Sequence, residues 1–167
     1  MPGHRPDNSP PVSLEFLRTH SLFGGLADKP LTRIRELLTR KWYPAGGEIV
    51  REGESGGSLY MIWKGSAEVW KKNPDDPRKP PTRLALLKPG DSFGEMELID
   101  IQPAVATVRA REETAVLILS NGDLYRFEQD DPRTFTMIIM NLAREISRRL
   151  RVMDNLAAQS LFRGHDT

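Results

Sequence analysis

Cysteine is absent from these 167 residues. That excludes a cysteine-ligated iron–sulfur cluster and is compatible with a reducing cytoplasm, the expected location. Histidine is scarce: His4, His20 and His165 are scattered, two of them near the termini, so no metal or haem site is expected. No apolar run approaches the ~18 residues of a membrane span, and no charged region followed by an apolar stretch suggests a signal peptide. Charge of either sign in excess is missing too, with 24 basic against 23 acidic residues, so no basic field advertises nucleic acid. Finally, there is no Walker loop, no serine–histidine–aspartate order, no paired carboxylate in an evident cleft and no metal-ligand spacing. The chain is not expected to be an enzyme, and no catalytic residue and no cofactor is assigned.

What is present suits one domain with a real core plus an extra helix. Residues 1–12 hold four prolines and no apolar period, and read as a disordered leader. Ser13 caps a short helix through Leu17, Leu22-Phe23-Gly24-Gly25-Leu26 interrupts it, and Pro30 opens a helix with Leu31, Ile34, Leu37 and Leu38 on one face. From Arg40 the pattern becomes short strands between turn residues, at the spacing of an all-β sandwich or barrel. Glu48–Arg51, Leu59–Trp63, Ala67–Trp70, Val105–Ala110 and Thr114–Leu119 are the strands that stand out. The fold class is mainly β with flanking helices: a β-roll of the jelly-roll type, residues 13–131, followed by a long C-terminal helix, 132–160, and a tail, 161–167.

The segment 71–83 carries four prolines, which keep it extended and unpaired. It reads as a solvated hairpin tip, with a docking loop for an unknown protein partner as the alternative. After a short helix ending near Phe127, nothing breaks a helix from Pro132 to Gln159, roughly 28 residues or about 40 Å. Ile139, Leu142, Ile146, Arg149, Met153 and Leu156 step alternately by three and four as a heptad seam, which predicts a homodimer through this helix. Ile138, Leu150 and Ala157 lie off that seam and are expected to cover the roll.

The most informative stretch is 93–108. Phe93-Gly94-Glu95-Met96-Glu97-Leu98 precedes Pro103-Ala104-Val105-Ala106-Thr107-Val108. This resembles the phosphate-binding cassette of the cyclic nucleotide-binding domain family, written Phe-Gly-Glu-aliphatic-small-Leu and then Pro-Arg-small-Ala-Thr-Val. Turns of the pattern Pro-x-Gly-x-x-Ile, x-Glu-Gly and Leu-Tyr-x-Ile-x-x-Gly carry the resemblance over about residues 22–155. It implies that Glu95 grips a ribose hydroxyl and that the amides near 94–98 face an anion. It also implies a site formed by Phe93, Gly94, Glu95, Met96, Glu97, Ala104, Val105, Ala106 and Thr107. Two positions depart from the pattern: Ala104 stands where the family has its phosphate-pairing arginine, and Glu97 where it has a small residue.

By the same resemblance Arg149 pairs with Glu95, while Met153 and Asp154 stand where activator-type members touch the base. The expected function is a regulatory sensor that binds a cyclic nucleotide, cAMP or cGMP, weakly and signals through the C-terminal helix to a protein partner. The alternative is a nucleotide-free interaction module with Glu97 filling the phosphate site. Seven residues follow Ser160, too few for a recognition helix, so direct DNA binding is not expected of this chain; a domain excised from a longer protein is a further possibility.

Overall fold

The computed structural model describes residues 10–100 and 102–163. Eight strands form two four-stranded antiparallel sheets. One sheet has the order β1 (Thr39–Tyr43), β8 (Thr114–Ser120), β3 (Ser58–Lys64), β6 (Ser92–Phe93). The other runs β2 (Glu48–Val50), β7 (Thr107–Ala110), β4 (Ala67–Lys71), β5 (Thr82–Leu87). Around them lie α1 (Leu14–Thr19), α2 (Asp28–Leu37), α3 (Glu95–Asp100), α4 (Asn121–Asp130) and α5 (Pro132–Arg163), with a 3-10 turn at Ser21–Phe23. The mainly β roll with flanking helices and a long terminal helix is thus present. Among the described residues, no helix is long and apolar enough to cross a membrane.

Strands β3 and β8 are buried on both faces, which explains their unbroken apolar runs. Leu59, Met61, Leu117 and Leu119 meet the helical layer of Leu17, Phe23, Leu31, Ile34, Leu124, Phe127, Ile138 and Leu142. The alternating residues Ile62 and Val116 turn into the roll with Ile49, Phe93 and Val108. Each buried aliphatic side chain of this kind stabilises the fold by about 1.5–3 kcal/mol. Helix starts follow side-chain chemistry: Ser13 Oγ accepts from Phe16 N, Ser120 Oγ from Asp123 N, and Asp131 Oδ1 from Thr134 N.

Several expectations are adjusted. Within the expected leader, residues 1–9 lie outside the described residues, but Val12 is buried in the core and Pro10 O accepts from Arg40 Nη1 at 2.8 Å. Helix α5 extends through Arg163, beyond the expected end at 160; residues 164–167, with His165, lie outside the description, as does His4. Strand β7 begins at Thr107, so Val105 and Ala106 belong to the preceding loop. Lys71 pairs with Thr82 at the root of the β4–β5 hairpin, and its tip is folded on Asn73 Oδ1, which accepts from the amides of Asp75 and Asp76.

Helix α5 packs on α4 and the 3-10 turn. Asn141 fastens it there, its Nδ2 donating to Leu22 O at 3.1 Å and to Gly24 O at 2.9 Å. Leu142 is 1% exposed within the protomer's own core, so it cannot belong to a seam facing a second helix. Leu150, expected to cover the roll, is 56% exposed. Of the other apolar residues of the predicted seam, Ile139 and Ile146 are partly buried against the core, while Met153 and Leu156 are exposed, as is Leu150.

Candidate functional site

Strand β6 brings Phe93 beside Tyr60 of β3, their rings stacked at 5.0 Å and 7°. Gly94 then reverses the chain at φ +81°, where a Cβ would come 2.5 Å from Ser58 O. Only glycine meets both demands. Leu98 N donates to Gly94 O at 3.0 Å, closing the first turn of α3. Leu98 is buried and anchors this helix, whereas Met96 and Ile99 are exposed.

The return loop is clamped to the turn after β2. Ala104 N donates to Glu54 O at 2.9 Å, Gly53 N donates to Ala104 O at 2.8 Å, and Pro103 bridges Ser55. Thr107 Oγ1 accepts from Glu52 N at 3.0 Å. Ala104 is buried and Val105 is half exposed.

Both glutamates of α3 point inward. Glu97 is 8% exposed and lies flush on Gly56, whose hypothetical Cβ would fall 2.4 Å from Glu97 Cβ. Its Oε1 accepts from Val105 N at 3.3 Å. The carboxylate therefore holds the amide next to the position where the family's arginine would stand. Glu95 is 7% exposed; Oε1 pairs with Arg149 Nη1, while Oε2 is buried with no hydrogen-bond partner. Burial drives the Glu95 carboxyl above the usual range; Arg149 opposes this, and Glu97 and Glu145 add to it.

Arg149 also donates to Ser92 O at 2.8 Å and to Glu145 Oε1 at 3.4 Å, tying α5 to β6. The Arg149–Glu95 pair expected from sequence is thus formed in the structure. Met153 lies one turn further along the same face and is 65% exposed. Asp154 is five residues past Arg149, roughly 140° around the helix, and is exposed.

Sequence reasoning missed four participants. Lys71 donates to Val105 O and to Glu52 Oε1 at 2.7 Å, so this lysine at the cassette's edge is already neutralised. Gly56 makes room for Glu97, and Ser92 receives Arg149. His20 is buried, its Nδ1 accepting from Leu22 N at 3.2 Å, and burial lowers its pKa to about 4; Glu145 and Asp91 oppose the shift and Arg149 adds to it. No local motif announces these residues, because strand pairing and helix packing assemble them.

A testable consequence concerns His20. A base with a depressed folded pKa gives stability that is complete above its unfolded pKa and is lost as pH falls toward the folded value. Lowering pH from 7 to 5 should cost about 2 kcal/mol through His20. The raised Glu95 carboxyl acts with the opposite sign, so His20→Gln isolates the effect. Urea midpoints at the two pH values should differ clearly in the wild type and much less in the variant; equal slopes would remove this assignment.

The family model described as "Cyclic nucleotide-binding domain" matches residues 40–131. The chain is 32% identical over 133 residues to the cyclic AMP receptor protein of Thermus thermophilus, covering 80% of this chain and 58% of that protein. Among solved structures, the Thermus thermophilus catabolite activator protein aligns with a TM-score of 0.75 and 31% identity, over 85% of this chain and 63% of that one. A regulatory subunit of a cAMP-independent protein kinase A from Trypanosoma brucei aligns at 0.66 and 25% identity, over 79% and 45%. That structure is a mutant bound to cAMP in its A site, with glutamate changed to alanine and, seven and eight positions later, threonine to arginine and valine to alanine. The corresponding Trypanosoma cruzi subunit, at 0.65 and 27% identity over 78% and 43%, is bound to guanosine.

Proposed function

This chain belongs to the cyclic nucleotide-binding domain family, and from that premise we propose that it is a regulatory, ligand-sensing module of the cytoplasm with no catalysis of its own. It spans 58% of the length of the Thermus thermophilus receptor. The ligand orders the cassette and acts on α5 through Arg149, which passes the change to a protein partner. Cyclic monophosphates bind weakly.

The observation that carries this reading is the Glu97 carboxylate on the Val105 amide. A like charge at that amide opposes a phosphate, and Ala104 offers nothing in return. The trypanosomal mutant supports it: Glu97, Ala104 and Val105 have the same spacing as the three positions altered there. The guanosine complex supports a pocket of this fold that holds a ligand without phosphate. The same carboxylate favours a second reading, a nucleotide-free interaction module, whereas the unpartnered Glu95 Oε2 favours a ligand. Titration calorimetry and thermal melting with cAMP and cGMP test the first reading. Micromolar or weaker binding is expected; nanomolar affinity would overturn it.

We also propose a homodimer along α5, on the exposed stripe through Leu150 and Met153 beside Ile139 and Ile146. Leu150→Glu changes an exposed position, so folding should be unaffected while the variant sediments as a monomer. A wild type that sediments as a monomer at high concentration would exclude the dimer.

A further inference from the structure

We propose, on the reading of the cassette just given, that the ligand of this site is an uncharged ribonucleoside, its vicinal ribose hydroxyls donating to Glu95 and its 5′-hydroxyl to Glu97. Three features of the chain carry this inference.

The first is the unpartnered oxygen. Glu95 is 7% exposed, and Oε2 has no donor although Oε1 is held by Arg149. An acceptor-only carboxylate in that position calls for an O–H or N–H donor, and a ribose diol supplies two adjacent ones. The second is the other buried acceptor. Glu97 stands at the phosphate end of the cassette with Oε1 on Val105 N. A phosphate brings only acceptors there, whereas a hydroxyl can donate to the carboxylate without displacing the amide. The third is the charge balance. Glu97 and Glu145 both act on the Glu95 carboxyl, and Arg149 is already committed to Glu95, Glu145 and Ser92 O. Lys71, which reaches the return loop of the cassette, is committed to Glu52 and Val105 O. An anion finds no uncommitted cation among these residues, and a neutral donor needs none.

The experiment is calorimetry on the full chain with guanosine, adenosine, inosine, uridine and cytidine, each beside its 3′,5′-cyclic monophosphate and its 2′-deoxynucleoside. At least one ribonucleoside should bind on the order of 100-fold more tightly than its cyclic monophosphate, and its 2′-deoxy form at least about 10-fold more weakly. Glu97→Ala should weaken the nucleoside about 10-fold or more. A cyclic monophosphate that outbinds every nucleoside, or a 2′-deoxy form equal to its ribose parent, would overturn the proposal. Silence with every ligand at millimolar concentration would overturn it too. Silent nucleosides beside a cyclic monophosphate that binds at micromolar or weaker affinity would overturn this proposal alone and leave the sensor reading standing, whereas silence throughout removes both, and a Glu97→Ala, Ala104→Arg double variant that then takes cAMP would mark the pocket as a relic. The wild-type comparison decides the nucleoside question even if the variants fold poorly.

Discussion

Glu97→Ala combined with Ala104→Arg should raise the affinity for cAMP or cGMP by roughly 30-fold to several thousand-fold, the equivalent of about 2–5 kcal/mol. Two effects are joined in this change. Removing Glu97 takes away a carboxylate that faces the incoming charge and frees the Val105 amide it holds. Adding the guanidinium gives the phosphate a forked donor pair. The two substitutions should not be additive. Ala104 is buried, so an arginine placed there alone meets the Glu97 carboxylate first and is neutralised by it. Calorimetry on the wild type, both single variants and the double variant forms a complete cycle. A double variant that gains less than about threefold, or a gain equal to the sum of the singles, would refute the role given to Glu97.

Gly94→Ala should lower stability by about 3–4 kcal/mol and the melting temperature by roughly 10 °C. The left-handed φ of +81° accounts for about 1 kcal/mol of this. The rest comes from a Cβ placed 2.5 Å from Ser58 O, a backbone oxygen fixed in strand β3 that cannot swing aside. Gly46 provides the control: its φ is +79°, yet nothing lies within 4 Å of its hypothetical Cβ. Gly46→Ala should therefore cost only about 1 kcal/mol. Chemical denaturation of both variants checks the contrast, and equal losses would mean that the contact with β3 contributes nothing.

How far the sequence could be read depended on whether a feature was local. The roll, the capping serine of α1 and the glycine turn before Glu95 follow from short patterns with a direct steric or hydrogen-bonding cause, and all appear in the structure. The Arg149–Glu95 pair joins residues 54 positions apart; it was accessible only through family resemblance, since no periodicity links them. Leu142 was placed on the expected seam for a definite reason. Helix α5 is apolar on two adjacent stripes, and steps of three and four can be laid on either. Only the burial of Leu142 inside its own protomer assigns that stripe to the core. Strand β5 was not singled out because it is an edge strand with an exposed, non-alternating pattern. The carboxylate-to-amide contact of Glu97 was open for a similar reason: sequence showed an acid near the phosphate corner, but not which way it turned.

The two fastenings of α5, Asn141 on the 3-10 turn and Arg149 on β6, have a mechanical consequence. With both closed, the rod overhangs its last support by about 21 Å, the rise of the residues from Arg149 to Arg163. A guest that draws Arg149 off both Glu95 and Ser92 O opens the outer fastening and leaves the inner one shut, lengthening the overhang to about 33 Å. The rod then swings from Asn141 as a longer cantilever, and the amides from Leu142 to Arg149 are the ones whose hydrogen exchange should quicken.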